Sequence, residues 1–195
     1  TGGIIDDCFD SSYSAASRIT VPIETTAGEY FDYDKSWGLS LWIENVVSTT
    51  VRGILGNYDT TNGFYAFTYN GQLRIRYSSG GSVVWDSGYI SMTAGLNHFL
   101  FGLTGTGTLA GCLGWHNASS FTFSQPNTPA SMATSQPVWF GDTLNYTGHN
   151  GKIDEIAIFP TTAPTATMAT NLYNSGSGLA YRSTPDIPYR LRAPA

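Results

Sequence analysis

Residues able to do chemistry are few in this chain. An acidic pair, Asp154-Glu155, sits in the stretch 151–159, Gly-Lys-Ile-Asp-Glu-Ile-Ala-Ile-Phe. Its alternation predicts a late β-strand, with Asp154, Ile156 and Ile158 on one face and Ile153, Glu155, Ala157 and Phe159 on the other. Adjacent carboxylates on opposite faces are poor partners in acid–base catalysis. Nowhere does a run such as Glu-x-Asp-x-x-Glu set an acid and a nucleophile on one strand face, as glycoside hydrolysis on a sheet requires. A carboxylate in phase with two isoleucines must be paired, hydrogen-bonded or metal-bound. Two roles therefore stand open for Asp154: to tie down the preceding Gly-rich loop through backbone N–H groups, or to ligate Ca²⁺.

The three histidines lie apart, His98 in a strand, His116 at a strand end and His149 in the last loop, and none has a metal-ligand partner two or four residues on. Residues 174–178 approach the Gly-x-Ser-x-Gly elbow by letter, but they follow a helix pattern and read as a flexible C-cap. Catalysis is not expected. The richest polar stretch is the loop 142–150, Asp-Thr-Leu-Asn-Tyr-Thr-Gly-His-Asn. Sugar recognition needs an aromatic platform plus Asp, Asn and backbone donors, and Asp142, Asn145, Tyr146 and His149 supply them, with Trp115 and His116 expected nearby. Calcium wants several oxygen ligands, which Asp142, Asn145 and Asp154 offer, with Asp10 as a further candidate.

Composition narrows the partners. The chain has 195 residues, 12% charged, 14% aromatic, with a formal net charge of −5. That length fits one domain or one domain with a tail. Nucleic acid is a poor partner, since phosphate binding wants a basic stripe. Arg74 and Arg76 share one strand face, but two charges read as a solvated face. No apolar run reaches the length of a membrane span, and no secretory leader pattern opens the chain. Cys8 and Cys112 read as two free, buried thiols. Asn117-Ala118-Ser119 and Asn145-Tyr146-Thr147 match the N-glycosylation acceptor pattern.

The elements that must position these groups are mostly strands. Segment 39–44 alternates, with Leu39, Leu41 and Ile43 toward the core and Ser40, Trp42 and Glu44 away from it; the outward Trp42 is expected to be covered. Segments 29–33, 51–57, 82–86, 96–104, 109–116, 120–124 and 138–141 read as further strands, and 18–23 as an edge or end strand limited by Pro22. Residues 63–69 and 72–78 flank Asn70-Gly71, the strongest hairpin signal present. A Pro/Ser/Thr connection with little internal order runs over 125–136. One helix is predicted over 165–174, with Pro164 before it and Gly176 at its end.

Several of these segments resemble one family. Ser40-Leu41-Trp42-Ile43 is similar to a core strand of laminin-G-like, concanavalin A-like lectin domains. Asn97-His98 stands where such domains often carry Trp-His, and 138–142 resembles the strand before their last loop. Segment 151–159 resembles their Gly-x-Ile-Asp-Glu strand, and Leu172-Tyr173-Asn174-Ser175-Gly176 their closing Leu-Tyr-Asn-x-Gly. The resemblance covers about residues 4–182. It implies an all-β fold, an antiparallel β-sandwich (concanavalin A-like jelly roll) with one short C-terminal helix over 1–182; the remaining segment 183–195, with three prolines and two arginines, reads from its composition as an extended arm. The expected function is a non-catalytic recognition module for a glycan or cell-surface ligand, outside a cell or on a bacteriophage particle. The arm is expected to contact neighbouring virion subunits or further copies of the chain. The alternative is a purely structural virion decoration or fibre domain; a glycoside hydrolase is more distant.

Overall fold

The computed structural model describes residues 9–10, 19–21, 31–132, 134, 136–141 and 146–177, the first two segments in their backbone only. Cys8, Asp142, Asn145 and the 183–195 arm lie outside the described residues. The first strands in chain order are β1 (Phe9–Asp10), β2 (Ile19–Val21), β3 (Ser36–Glu44), β4 (Arg52–Gly56), β5 (Gly63–Tyr69), β6 (Gln72–Ser79) and β7 (Ser82–Asp86). They are followed by β8 (Ile90–Ser91), β9 (Leu96–Thr104), β10 (Cys112–His116), β11 (Ser119–Ser120), β12 (Val138–Phe140), β13 (Thr147–Gly148) and β14 (Lys152–Phe159). The helix α1 spans Ala166–Tyr173.

Turn chemistry sets the register. Asn70 and Gly71 take φ of 50° and 72°, the left-handed pair of a type I′ turn, whose twist matches that of the strands it joins. The β5–β6 ladder then runs from Tyr69↔Gln72 to Gly63↔Ser78. Gly80 and Gly81, at 58° and 79°, turn β6 into β7 in the same way.

The strands form two sheets, one of order β1-β14-β3-β9-β10-β11 and one of order β2-β12-β4-β5-β6-β7, with β8 beside β6 and β13 beside β4. Among the described residues every pairing is antiparallel except the short parallel contact of β13 with β4. Side chains facing between the sheets make the main core. Leu39, Leu41 and Ile43 sit opposite Phe101, Phe99 and Asn97 and meet Phe64, Ile75, Tyr77 and Phe140 from the second sheet. Trp37 lies at the centre, 5.0 Å from both Phe31 and Phe64. This is the antiparallel concanavalin A-like jelly roll expected from the sequence.

Three local expectations are corrected. Residues 31–35 are a turn, where Asp32 Oδ1 accepts from the Tyr33 and Met132 backbone N–H groups. The 125–136 connection is pinned to the body, since Ser131 Oγ also donates to Asp32 Oδ2 and Met132 is buried. In β14 the alternation breaks. Asp154 pairs with Trp42 but Ala157 with Ser40, because a β-bulge inserts one residue and places Glu155 at φ 45°. The bulge resets the faces. Ile153, Ile156 and Ile158 all join the main core, while Asp154, Ala157 and Phe159 turn outward.

The outward side of the first sheet is sealed by α1. Thr165 caps it by accepting from Met168 N, and Asn174 ends it in the left-handed conformation, both satisfying groups a helix terminus leaves free. Ala169 and Leu172 pack on Leu100, Trp115, Ala157 and Phe159. Tyr173 stacks on Trp42 at 5.8 Å, so the expected cover of Trp42 is this helix.

Candidate functional site

The outward side of the second sheet is built differently. Because Phe64 and Ala66 face the core, Tyr65, Phe67 and Tyr69 face out. The hairpin register sets Arg76 beside Tyr65 and Arg74 beside Phe67, and β7 adds Asp86 beside Arg76. Tyr89, just beyond β7, lies 6.4 Å from Phe67 and 6.3 Å from Tyr69. From the loop before β13, Tyr146 reaches across to 5.1 Å from Phe67 and 6.2 Å from Tyr65, and Tyr58 packs on Tyr65 at 4.7 Å. The result is a layer of aromatic rings in which Tyr65 and Phe67 are buried by their neighbours. Tyr69 and Tyr89 stand 38% and 46% exposed.

Charge is set into this surface. Arg74 grips Asp86 with two bonds, Nε to Oδ1 at 2.8 Å and Nη2 to Oδ2 at 2.6 Å. Arg76 Nε donates to Oδ2 at 3.0 Å. The Arg74 guanidinium lies 4.7 Å from the Tyr89 ring centre, and that of Arg76 5.6 Å from that of Phe67. Burial alone would raise the Asp86 pKa, but hydrogen bonds from Arg74, the Gly88 N–H and Arg76 outweigh it and hold the carboxyl below its usual range. The two arginines share a face as the sequence implied. They are not a solvated face, for about a fifth to a quarter of each side chain is exposed.

The sequence-derived site residues scatter across the molecule. Tyr146 belongs to the aromatic surface. His149 is fully buried, with its backbone N–H donating to Gly53 and Gly141 carbonyls, and burial lowers its pKa to about 4. Trp115 lies on the first sheet, packed with Leu100 against α1. His116 points the other way on the same strand, stacked on Phe99 at 4.7 Å and bonded through Nε2 to Asn97 Oδ1 at 2.9 Å. The structure therefore does not bring Trp115 and His116 to Tyr146: adjacent strand positions face opposite ways, and β10 belongs to the other sheet. Asp142 and Asn145 are outside the described residues.

Of the Ca²⁺ set, Asp154 is the member whose side chain is described; Asp10, the further candidate, is described in its backbone, paired with Lys152. Asp154 lies on the outward side of the first sheet, and its Oδ1 accepts from Glu155 N at 2.7 Å, a bond that holds the bulge. Among the described residues no group of three or more His, Cys, Asp and Glu could hold a metal ion. The acidic pair is split by the bulge, with Glu155 in the left-handed region. A Ser–His contact does exist: Ser40 Oγ and His98 Nε2 are 2.8 Å apart. Both are buried, Tyr173 stacks over the imidazole at 6.4 Å, and burial lowers the His98 pKa to about 3. His98 Nδ1 has no hydrogen-bond partner, so no carboxylate orients the ring as a catalytic triad requires. The contact is structural. Cys112 is a free buried thiol, as expected. It lines an open, largely apolar cavity of about 630 Å³ with Leu113, Trp115, Phe121 and Phe123. That cavity has few polar groups to orient a ligand.

Sequence reasoning missed Tyr65, Phe67, Tyr69, Asp86 and Tyr89. The signal was available in part. Counting outward from Asn70-Gly71 pairs 69 with 72, 67 with 74 and 65 with 76, which sets two arginines among three aromatics on one face.

No family model matches this chain, and no curated protein matches it in sequence. Solved structures are similar to it in fold. The binding domain of Paraclostridial Mosquitocidal Protein 1 superposes with a TM-score of 0.68 at 16% identity, over 90% of this chain and 45% of its own. The binding domain of botulinum neurotoxin DC, solved in complex with SialylT, gives 0.62 at 14% identity, over 84% and 41%. Domain 4 of AbnA, a GH43 extracellular arabinanase from Geobacillus stearothermophilus solved with arabinotriose, gives 0.56 at 16% identity, over 78% and 70%. The chain thus spans less than half the length of the two toxin domains. At these identities the likeness establishes the β-sandwich fold alone.

Proposed function

We propose that this chain is a non-catalytic recognition module that binds a glycan or another surface ligand outside a cell or on a virus particle such as a bacteriophage. The observation that carries the reading is the outward face of the second sheet, where exposed Tyr69 and Tyr89, 6.3 Å apart, lie beside the partly covered Arg74 and Arg76, with Phe67 and Tyr65 buried among them. A pyranose ring offers an apolar face to stack on such rings and hydroxyls to meet fixed polar groups, the usual division of labour in a ligand site. The similar toxin structures are called binding domains, and two of the similar structures were solved with SialylT and arabinotriose; both facts support the reading. Among the described residues no helix is long and apolar enough to cross a membrane.

A glycan array probed with the purified chain, with and without Ca²⁺, tests this. Binding to a defined glycan class is expected, and it falls sharply in Tyr69→Ala and Tyr89→Ala. No binding under either condition overturns the reading and leaves the chain as a structural subunit of a larger assembly. If binding requires Ca²⁺, the ion is to be sought at Asp142, Asn145 and Asp154.

A further inference from the structure

On the recognition reading, we infer that the ligand of the second sheet's outward face is an acidic saccharide, whose carboxylate or sulfate is taken by Arg74 and Arg76. The acceptor capacity of Asp86 is already used. Its Oδ1 accepts from Arg74 Nε at 2.8 Å and from the Gly88 N–H at 2.9 Å. Its Oδ2 accepts from Arg74 Nη2 at 2.6 Å and Arg76 Nε at 3.0 Å. A carboxylate has about four lone-pair sites, so Asp86 is saturated and offers no acceptor to a sugar hydroxyl.

The cluster therefore faces a ligand as a donor. Two guanidinium ions against one carboxylate leave one positive charge. Arg74 Nη1 and the Nη groups of Arg76 take no part in the bonds to Asp86; the Tyr89 hydroxyl also bonds Arg74 and the Tyr65 hydroxyl Arg76, but a guanidinium has five N–H donors and can only donate, so each keeps donors to offer. A neutral sugar could meet them with hydroxyl oxygens, but an oxyanion meets them with charge as well, and charge-assisted bonds are about twice as strong as neutral ones. The geometry is prepared in advance. Asp86 and the rings of Tyr89 and Phe67 hold both arginines in place, so little side-chain entropy remains to be lost on binding. Tyr69 and Tyr89 lie beside the pair to stack on the sugar ring. In a chain of net charge −5, this pair is a local exception that favours an anion.

The test compares matched saccharides on the intact chain by titration calorimetry: 3′-sialyllactose against lactose, oligogalacturonate against the neutral galactose oligomer, and a heparin-derived oligosaccharide against its desulfated form. The acidic member of at least one pair is expected to bind about tenfold tighter or more, the size of one charge-assisted hydrogen bond. Arg74→Gln and Arg76→Gln should each bring that ratio close to one, with melting curves showing that the variants fold. Should a variant fail to fold, a salt series on the unmodified chain replaces it, and the acidic preference must shrink as salt rises. Whether the carboxylated or the sulfated probe wins identifies the oxyanion. Equal affinity within every pair overturns this inference and leaves glycan recognition standing. An acidic preference untouched by both variants overturns the site. No binding of any saccharide overturns both readings.

Discussion

The two outward faces of this sandwich start from similar material and end differently. On the first sheet, Trp42, Leu100, Trp115, Ala157 and Phe159 are covered by α1, whose Ala169, Leu172 and Tyr173 turn the face into a second small core. The polar groups buried there are neutral, Ser40 bonded to an uncharged His98, and the carboxylate of that side, Asp154 opposite Trp42, is only half-buried. On the second sheet, Tyr65, Phe67, Tyr69 and Tyr89 lie among two arginines and an aspartate. No helix among the described residues covers them, and two of the tyrosines remain exposed. Aromatic alternation alone does not distinguish a binding face from a buried one. The charge set between the rings does, because fixed ions are expensive to seal and useful to a ligand.

Truncations on each side should differ most in their cost. Trp42→Ala removes a ring buried under α1, and by analogy with other buried Trp positions it should cost about 3–5 kcal/mol in urea denaturation. Tyr89→Ala, 46% exposed, should stay within about 1 kcal/mol while weakening ligand binding. Equal destabilisation by the two would mean that the second face is core as well.

Acid separates the faces next. His98 and His149 are held neutral by burial, down to about 3 and about 4, against about 6.5 when unfolded. Folded values below the unfolded one mean that their contribution is complete above pH ~6.5 and is lost as pH falls toward the folded values. Each should remove about 1.4 kcal/mol per pH unit in that window. The Asp86 pKa is also depressed, but its contribution is present above the unfolded value of about 3.9 and is lost only below that. Urea midpoints should therefore fall between pH 6.5 and 4.5 while the arginine cluster stays intact. A flat profile there would show that these histidines are protonated without loss of the fold.

A third measurement sharpens the view of the charged face. Asp86→Asn strips the shared counter-charge from two arginines whose side chains are mostly covered. The expected loss is about 1–3 kcal/mol, since the partners keep some access to water. Adding Arg76→Gln should recover part of it by removing the repulsion with Arg74. If the double variant is no better than the single one, repulsion is not what Asp86 relieves.

How far the sequence could be read follows from these contacts. The alternation of 39–44 and 96–104 identified one sheet's core because each residue there has a clear inside or outside preference. The helix was legible from Pro164 before it and Gly176 near its end. The sandwich itself was legible from the hairpin signals and the spacing of strands. The bulge at Glu155 was not, because no local residue type announces a non-glycine in the left-handed region. The binding face was missed for a different reason: its parts come from β5, β6, the loop after β7 and the loop before β13, and only pairing brings them together. Polar density drew attention to Asp142, Asn145 and His149, yet His149 proves buried and Trp115 and His116 lie on the other sheet.

The smallest effect concerns the bulge itself, and it tests why Asp154 is there. Its Oδ1 accepts from the backbone N–H of Glu155 at 2.7 Å, the residue that carries φ of 45°. A left-handed conformation costs a non-glycine residue roughly 1–2 kcal/mol, so something must favour it, and a side chain bonded to the strained backbone is a local means of doing so. Asp154→Ala should then destabilise the fold by about 1 kcal/mol. Replacing the strained residue should remove part of that cost: in a Glu155→Gly background the same change should cost less, because glycine takes that φ without help. A double-mutant cycle in urea reads the difference directly. Repeating it with Ca²⁺ separates the two roles open for Asp154. A bulge role gives the same coupling with and without the ion, whereas a ligand role gives a Ca²⁺-dependent stability that Asp154→Ala abolishes and Glu155→Gly leaves in place.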